Sequence, residues 1–128
     1  MFEITVETVF AAAHALRLPD GSFEPIHGHN WPVAVTVWAE QLDAIEAVMD
    51  FHELQRIVEQ IVTPWRNTDL NRCAPFADGR GGLVINPSAE RVAWHIGQQT
   101  AKQLPEGCRL VSVSVGEAPG CTARYRPQ

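Results

Sequence analysis

The residues best equipped for chemistry lie in the first quarter of the chain. His14 comes first, and the stretch EPIHGHN (24–30) then places His27 and His29 two residues apart, with a carboxylate, Glu24, three residues upstream. Neutral imidazole is a preferred ligand of zinc, and catalytic zinc sites commonly use three protein ligands, leaving a fourth position for water or substrate. The three histidines supply that number. The same residues also describe a hydrogen-bonded core histidine beside two loop histidines, because the pattern lacks the fixed spacing of a zinc finger.

The elements around them decide whether they can meet. From Phe2 the chain alternates, with Phe2, Ile4, Val6, Phe10 and Ala12 on one parity and Glu3, Thr5 and Glu7 on the other. This is a half-buried strand, and His14 continues its apolar parity. LPDGSFEP (18–25) reads as a turn-rich connection. A second strand follows, with Val33, Val35 and Val37 on one face. Counting back by twos from Val33 reaches Trp31, His29 and His27, so both histidines leave the same side, about 7 Å apart at roughly 3.3 Å per residue. The short connection implies that the two strands pair, which brings His14 towards the other two.

The period then changes. Phe51, Leu54, Ile57, Val58, Ile61 and Trp65 recur at helical spacing, and Asp50 with Glu53 reads as a capping box opening a helix at Asp50. Residues 66–86 read as a long surface loop. A second helix is expected from the NPSAERVAW stretch to about Leu104, capped by Asn86 or Ser88. RLVSVSVGEA and CTARYRP close the chain as a hairpin turning at Pro119 and Gly120, with Val111, Val113 and Val115 pointing inward and Glu117 continuing their parity. His52 and His95, on the helices, are expected at the surface. The order strand, strand, helix, helix, strand, strand predicts one α+β domain over residues 1–128, a four-stranded antiparallel sheet with both helices on one face. Its two open edges are expected to be covered by copies of the same chain.

Composition narrows the partners. The chain has 128 residues, 45% of them hydrophobic, and a formal net charge of −5, and Lys102 is its one lysine. That balance offers no electrostatic footprint for nucleic acid or an anionic membrane. No apolar run has the length of a bilayer span, and the acidic N-terminus is unlike a signal peptide, so a cytoplasmic protein is expected. Cys73, Cys108 and Cys121 are odd in number and without metal-ligand spacing, which predicts reduced thiols.

Several stretches together resemble one family. FAAAHAL (10–16), HGHN (27–30), VMDFHEL (48–54), DLN (69–71), NPSAERVA (86–93) and VGE (115–117) stand in the order and spacing of the 6-pyruvoyl-tetrahydropterin synthase family, which also holds the 6-carboxy-tetrahydropterin synthase of queuosine biosynthesis. The resemblance implies the T-fold, whose subunits associate into a β-barrel, typically as a homohexamer with sites between subunits. It implies one Zn²⁺ held by His14, His27 and His29, and a pterin substrate bound by Glu90 and Glu117. A carboxylate suits that role because a pterin presents its 2-amino group and a ring N–H side by side, and one carboxylate can accept both.

The chain departs from the family pattern at two places. Where the synthases carry a cysteine base, four residues before the first histidine of H-G-H, this chain has Phe23, and where they carry an Asp-His pair it has Arg66 and Asn67. A subgroup replaces the cysteine by glutamate in the pattern E-x-x-H-G-H, matched here by Glu24, His27 and His29, and is associated with cleaving the side chain of dihydroneopterin-type substrates. The resemblance therefore implies a zinc-dependent lyase or aldolase with Glu24 as base. Two alternatives stay open at this point: a pterin-binding homologue without turnover, and a purely structural T-fold oligomer.

Overall fold

The computed structural model describes all residues from Met1 to Gln128. β1 (Phe2–His14) and β2 (His27–Ala39) pair antiparallel without interruption, from Phe2 opposite Ala39 to His14 opposite His27. Because no bulge intervenes, the period-2 alternation carries from the strand centres to their joined ends, and the histidines stay on the core face. Val6, Phe10, Trp31, Val33, Val35 and Val37 on that face are all buried.

After β2 come α1 (Phe51–Val62), the two-residue β3 (Thr68–Asp69), α2 (Ala89–Ala101), β4 (Cys108–Ala118) and β5 (Cys121–Tyr125). The strand order is β3-β1-β2-β4-β5. β1, β2, β4 and β5 form the expected antiparallel sheet, and β3, inside the stretch read as a loop, adds a fifth strand parallel to Ala12–Ala13. α1 packs on β1, α2 on β4 and β5, and the helices on each other, which puts both on the core face of an α+β domain. Neither helix is long and apolar enough to cross a membrane.

Three local expectations are corrected, and the choice of cap for α2 is settled. Asp50 caps α1 by accepting the His52 N–H at 2.8 Å, but Glu53 pairs forward with Arg56 instead of closing a capping box. Ser88 caps α2, accepting the Arg91 N–H at 3.1 Å, while Asn86 is used elsewhere. Val111 does not face inward with Val113, because the β2–β4 register slips between Thr36 and Val37 and leaves Val111 opposite no partner. His95 is half-buried against the Trp65 ring, 5.4 Å between centroids, and this burial followed by the nearby Lys102 holds its pKa below the usual histidine value. His52 is exposed as expected.

The sheet is open. β3 covers only Ala12 and Ala13 on the outer edge of β1, and β5 covers β4 only from Val113 onward. Arg66 and Asn67 also bind the β1 edge. Arg66 donates to the Val9 carbonyl at 2.9 Å and to Glu59 at 2.7 Å, and the Asn67 N–H reaches the Ala11 carbonyl at 2.6 Å. The Thr8 hydroxyl, then Arg66, hold the Glu59 carboxyl below its usual pKa.

Candidate active site

The joined ends of β1 and β2 bring three histidines and one carboxylate together. His14, His27, His29 and Glu117 each offer a ligand atom within 4.8 Å of the others. His14 is fully buried, and its Nε2 stands 3.1 Å from His27 Nε2 and 3.2 Å from Glu117 Oε1. Trp31 forms the floor, stacked on His29 at 4.2 Å between centroids and edge-on to His14 at 4.6 Å. Its indole N–H donates to the Ala12 carbonyl at 3.1 Å, which locks the ring.

What these groups can hold follows from their other sides. Each histidine directs Nδ1 at a backbone carbonyl: His14 at Pro87, 2.7 Å; His27 at Pro25, 3.1 Å; His29 at Asn30, 2.9 Å. A carbonyl only accepts, so each Nδ1 carries the proton and donates, and in neutral imidazole each Nε2 is left with its lone pair. Three lone pairs and a carboxylate at these separations are stable only around positive charge. One proton cannot serve all of them, and His29 Nε2 is buried with no hydrogen-bond partner. This donor set, with its second nitrogens anchored, is the kind that holds a divalent cation of borderline softness.

Glu117 arrives by a different device. β5 pairs Thr122 with Gly116 and Cys121 with Ala118, so Glu117 between them is a bulged residue without a partner, and the bulge re-aims its side chain at the histidines. Gly116 beside it packs tightly on β2, where a Cβ would lie 3.0 Å from Pro32 Cγ and push that ring back by a few tenths of an ångström. Glu90 is exposed at the start of α2 and shares with Glu117 a cleft of about 470 Å³, which Cys121 and Thr122 also line. The two carboxylates expected to bind substrate thus face one space. Glu24 stands outside the four-residue cluster. Its carboxylate accepts the Leu16 N–H at 3.0 Å and its own N–H returns to the Leu16 carbonyl, so it is fixed two residues beyond His14. Phe23 and Ile26 on either side of it are exposed at 48% and 59%, and do not bury it as apolar neighbours would.

Two asparagines were not legible as site residues. Asn71 brackets Ala15, accepting its N–H at 2.8 Å and donating to its carbonyl at 2.7 Å, and Asn86 brackets Arg17 in the same way at 2.7 and 3.0 Å. Each side-chain amide stands in for a strand neighbour and holds the chain extended just after His14. Asn86 also precedes Pro87, whose carbonyl orients His14, so one short segment positions both. Their presence in the DLN and NPSAERVA stretches was the only available signal.

The chain matches the family model described as 6-pyruvoyl tetrahydropterin synthase over residues 3–128. It belongs to that family, a family of pterin-related lyases. It is 30% identical over 108 residues to the dihydroneopterin monophosphate aldolase of Pyrococcus furiosus, covering 84% of this chain and 82% of the relative. It is 27% identical to the 6-carboxy-5,6,7,8-tetrahydropterin synthase of Bacillus subtilis, covering 99% of this chain and 86% of that one. Among solved structures, a variant of Plasmodium vivax 6-pyruvoyltetrahydropterin synthase with a glutamate named as catalytic replaced by alanine superposes with a TM-score of 0.75 at 18% identity, covering 99% and 98% of the two chains. That likeness shows that the T-fold monomer is shared.

Proposed function

We propose that this protein is a zinc-dependent lyase that cleaves the side chain of a dihydroneopterin-type pterin, with Glu24 as the base. The observation that carries the reading is the anchoring of all three Nδ1 atoms to backbone carbonyls, which leaves His14, His27 and His29 Nε2 as convergent ligands. Bound there, zinc would act as a Lewis acid on a side-chain oxygen of the substrate. Glu90 and Glu117 would accept the 2-amino and ring N–H of the pterin in their shared cleft, and Trp31 keeps the imidazoles from turning.

An aldolase-type cleavage breaks the bond between the first and second side-chain carbons. The base takes the proton of the second carbon's hydroxyl, whose electrons become a carbonyl in the leaving aldehyde. The bonding pair passes to the ring-bound carbon, which a proton then quenches, giving a hydroxymethylpterin. Glu24 has one oxygen on the Leu16 N–H and the other free for that proton. The aldolase named for the Pyrococcus furiosus relative supports this assignment over the synthase reaction, for which Phe23 offers no base.

The remaining parts of the proposal are assembly and setting. The uncovered edges of β1 and β4 support closure by copies of the chain, a homohexamer by the family's habit. Three unpaired thiols suit the cytoplasm. The test is direct: zinc-loaded protein incubated with dihydroneopterin and with its monophosphate should release a hydroxymethyldihydropterin, detected by chromatography. Tight binding without product would leave a pterin-binding homologue, and neither binding nor product would defeat the reading.

A further inference from the structure

Building on the reading of Glu117 as a pterin anchor, we infer that Glu117 has two alternative partners: in the free protein it is a fourth ligand to the cation held by His14, His27 and His29, and pterin binding draws it off. Three independent features lead there. First, the bulge at Glu117 aims its carboxylate at the histidines, with Oε1 3.2 Å from His14 Nε2 and 4.0 Å from His27 Nε2, inside the same 4.8 Å group. Second, with the imidazole protons committed to the carbonyls of Pro87, Pro25 and Asn30, the His14 nitrogen nearest Glu117 is an acceptor, as is the carboxylate. Two acceptors at hydrogen-bond distance share a cation between them in preference to each other. Third, the side chain is 37% exposed and borders two clefts, one with Glu90 and Thr122 and one with His29 and Gly120. No hydrogen bond from another residue ties it down, so a small rotation about its own bonds changes its partner.

The consequence is a site that is closed by its own carboxylate until substrate arrives. Catalytic zinc needs an open position, and structural zinc has none. A carboxylate that leaves only when a pterin offers its paired N–H groups would supply the open position at the moment substrate is present. Sharing one ligand also couples the two binding events, and such coupling is reciprocal. A pterin that takes Glu117 and returns nothing to the cation must weaken cation binding by the factor by which the cation weakens pterin binding.

The test uses the full-length protein stripped of metal and reloaded with Co²⁺, whose visible absorption reports its ligands. Co²⁺ affinity, measured by competition with a chromophoric chelator, should fall by about 10-fold or more in Glu117→Gln, in the range seen when groups supporting a metal site are removed. A pterin with a methyl group in place of the side chain should change the absorption of the wild-type Co²⁺ protein and weaken its Co²⁺ binding by about the same factor as the substitution. Circular dichroism checks the fold of the variant, and Glu117→Ala serves as a second variant with no side-chain oxygen. Equal Co²⁺ affinities for folded wild type and both variants would overturn the role of Glu117 as a ligand. An unchanged absorption with the methylpterin demonstrably bound would overturn the exchange. If the methylpterin does not bind at all, the pterin reading fails, while the Co²⁺ affinities still decide whether Glu117 is a ligand.

Discussion

Replacing Glu24 by glutamine separates its two roles. In the structure the carboxylate accepts the Leu16 N–H at 3.0 Å, a structural bond, and offers its second oxygen to substrate, the proposed catalytic role. Glutamine keeps a carbonyl oxygen for Leu16 but cannot take a proton at neutral pH. The structural bond is therefore retained and the basicity lost. A positioned base is worth about two to four orders of magnitude, or about 3 to 5 kcal/mol of barrier at 1.36 kcal/mol per decade. Glu24→Ala would instead also strand the Leu16 N–H, at a cost of about 1 to 3 kcal/mol close to His14, and would mix folding with chemistry. The assay is single-turnover release of hydroxymethyldihydropterin by zinc-loaded protein, with thermal unfolding and zinc content measured on the same samples. Glu24→Gln should bind zinc and pterin as the wild type does, unfold within a few degrees of it and lose at least about a hundredfold in rate. Turnover within threefold of wild type would refute the reasoning, leaving Glu24 as no more than the partner of Leu16.

Other perturbations test the frame around the site. His27→Ala should remove near-stoichiometric zinc, measured by atomic absorption, because it leaves two imidazoles where three converge. Asn71→Ala should cost about 2 kcal/mol in denaturant unfolding, since both backbone groups of Ala15 lose their partner, and should also loosen zinc through His14. His95 gives a pH signature. Its folded pKa lies below the unfolded value near 6.5, so the neutral form favours folding, and its contribution is full above that value and is lost as pH falls through it towards the folded pKa. The stability difference between wild type and His95→Gln should therefore shift against the wild type between pH 7.5 and pH 5.5, and a pH-independent difference would contradict the burial argument. Light scattering at micromolar concentration should show a closed oligomer, in which copies of the chain cover the open sheet edges, and a monomer would refute the proposed closure.

The sequence alone determined which residues share a face. A strand repeats every two residues whatever surrounds it, so counting from Val6 to His14 and from Val33 back to His27 placed three imidazoles on the core side, and the unbroken pairing of β1 with β2 kept that count valid. Helix positions were legible for the same reason, as apolar spacing and capping chemistry are local. Where the ladder slips, counting fails: Val111 left its expected parity at one bulge, and a second bulge at Glu117 turned a carboxylate expected to meet only pterin towards the histidines. Tertiary structure also chose the groups that complete the site. The Pro87 carbonyl reaches His14 across 73 residues, and Asn71 and Asn86 bracket the strand end across 56 and 69, so no local pattern announces them. His95 followed the same rule, because only the packed chain brings Trp65 against it. Periodicity set the direction of each side chain. The closing of distant segments, where buried N–H and carbonyl groups must find partners, decided what each side chain meets.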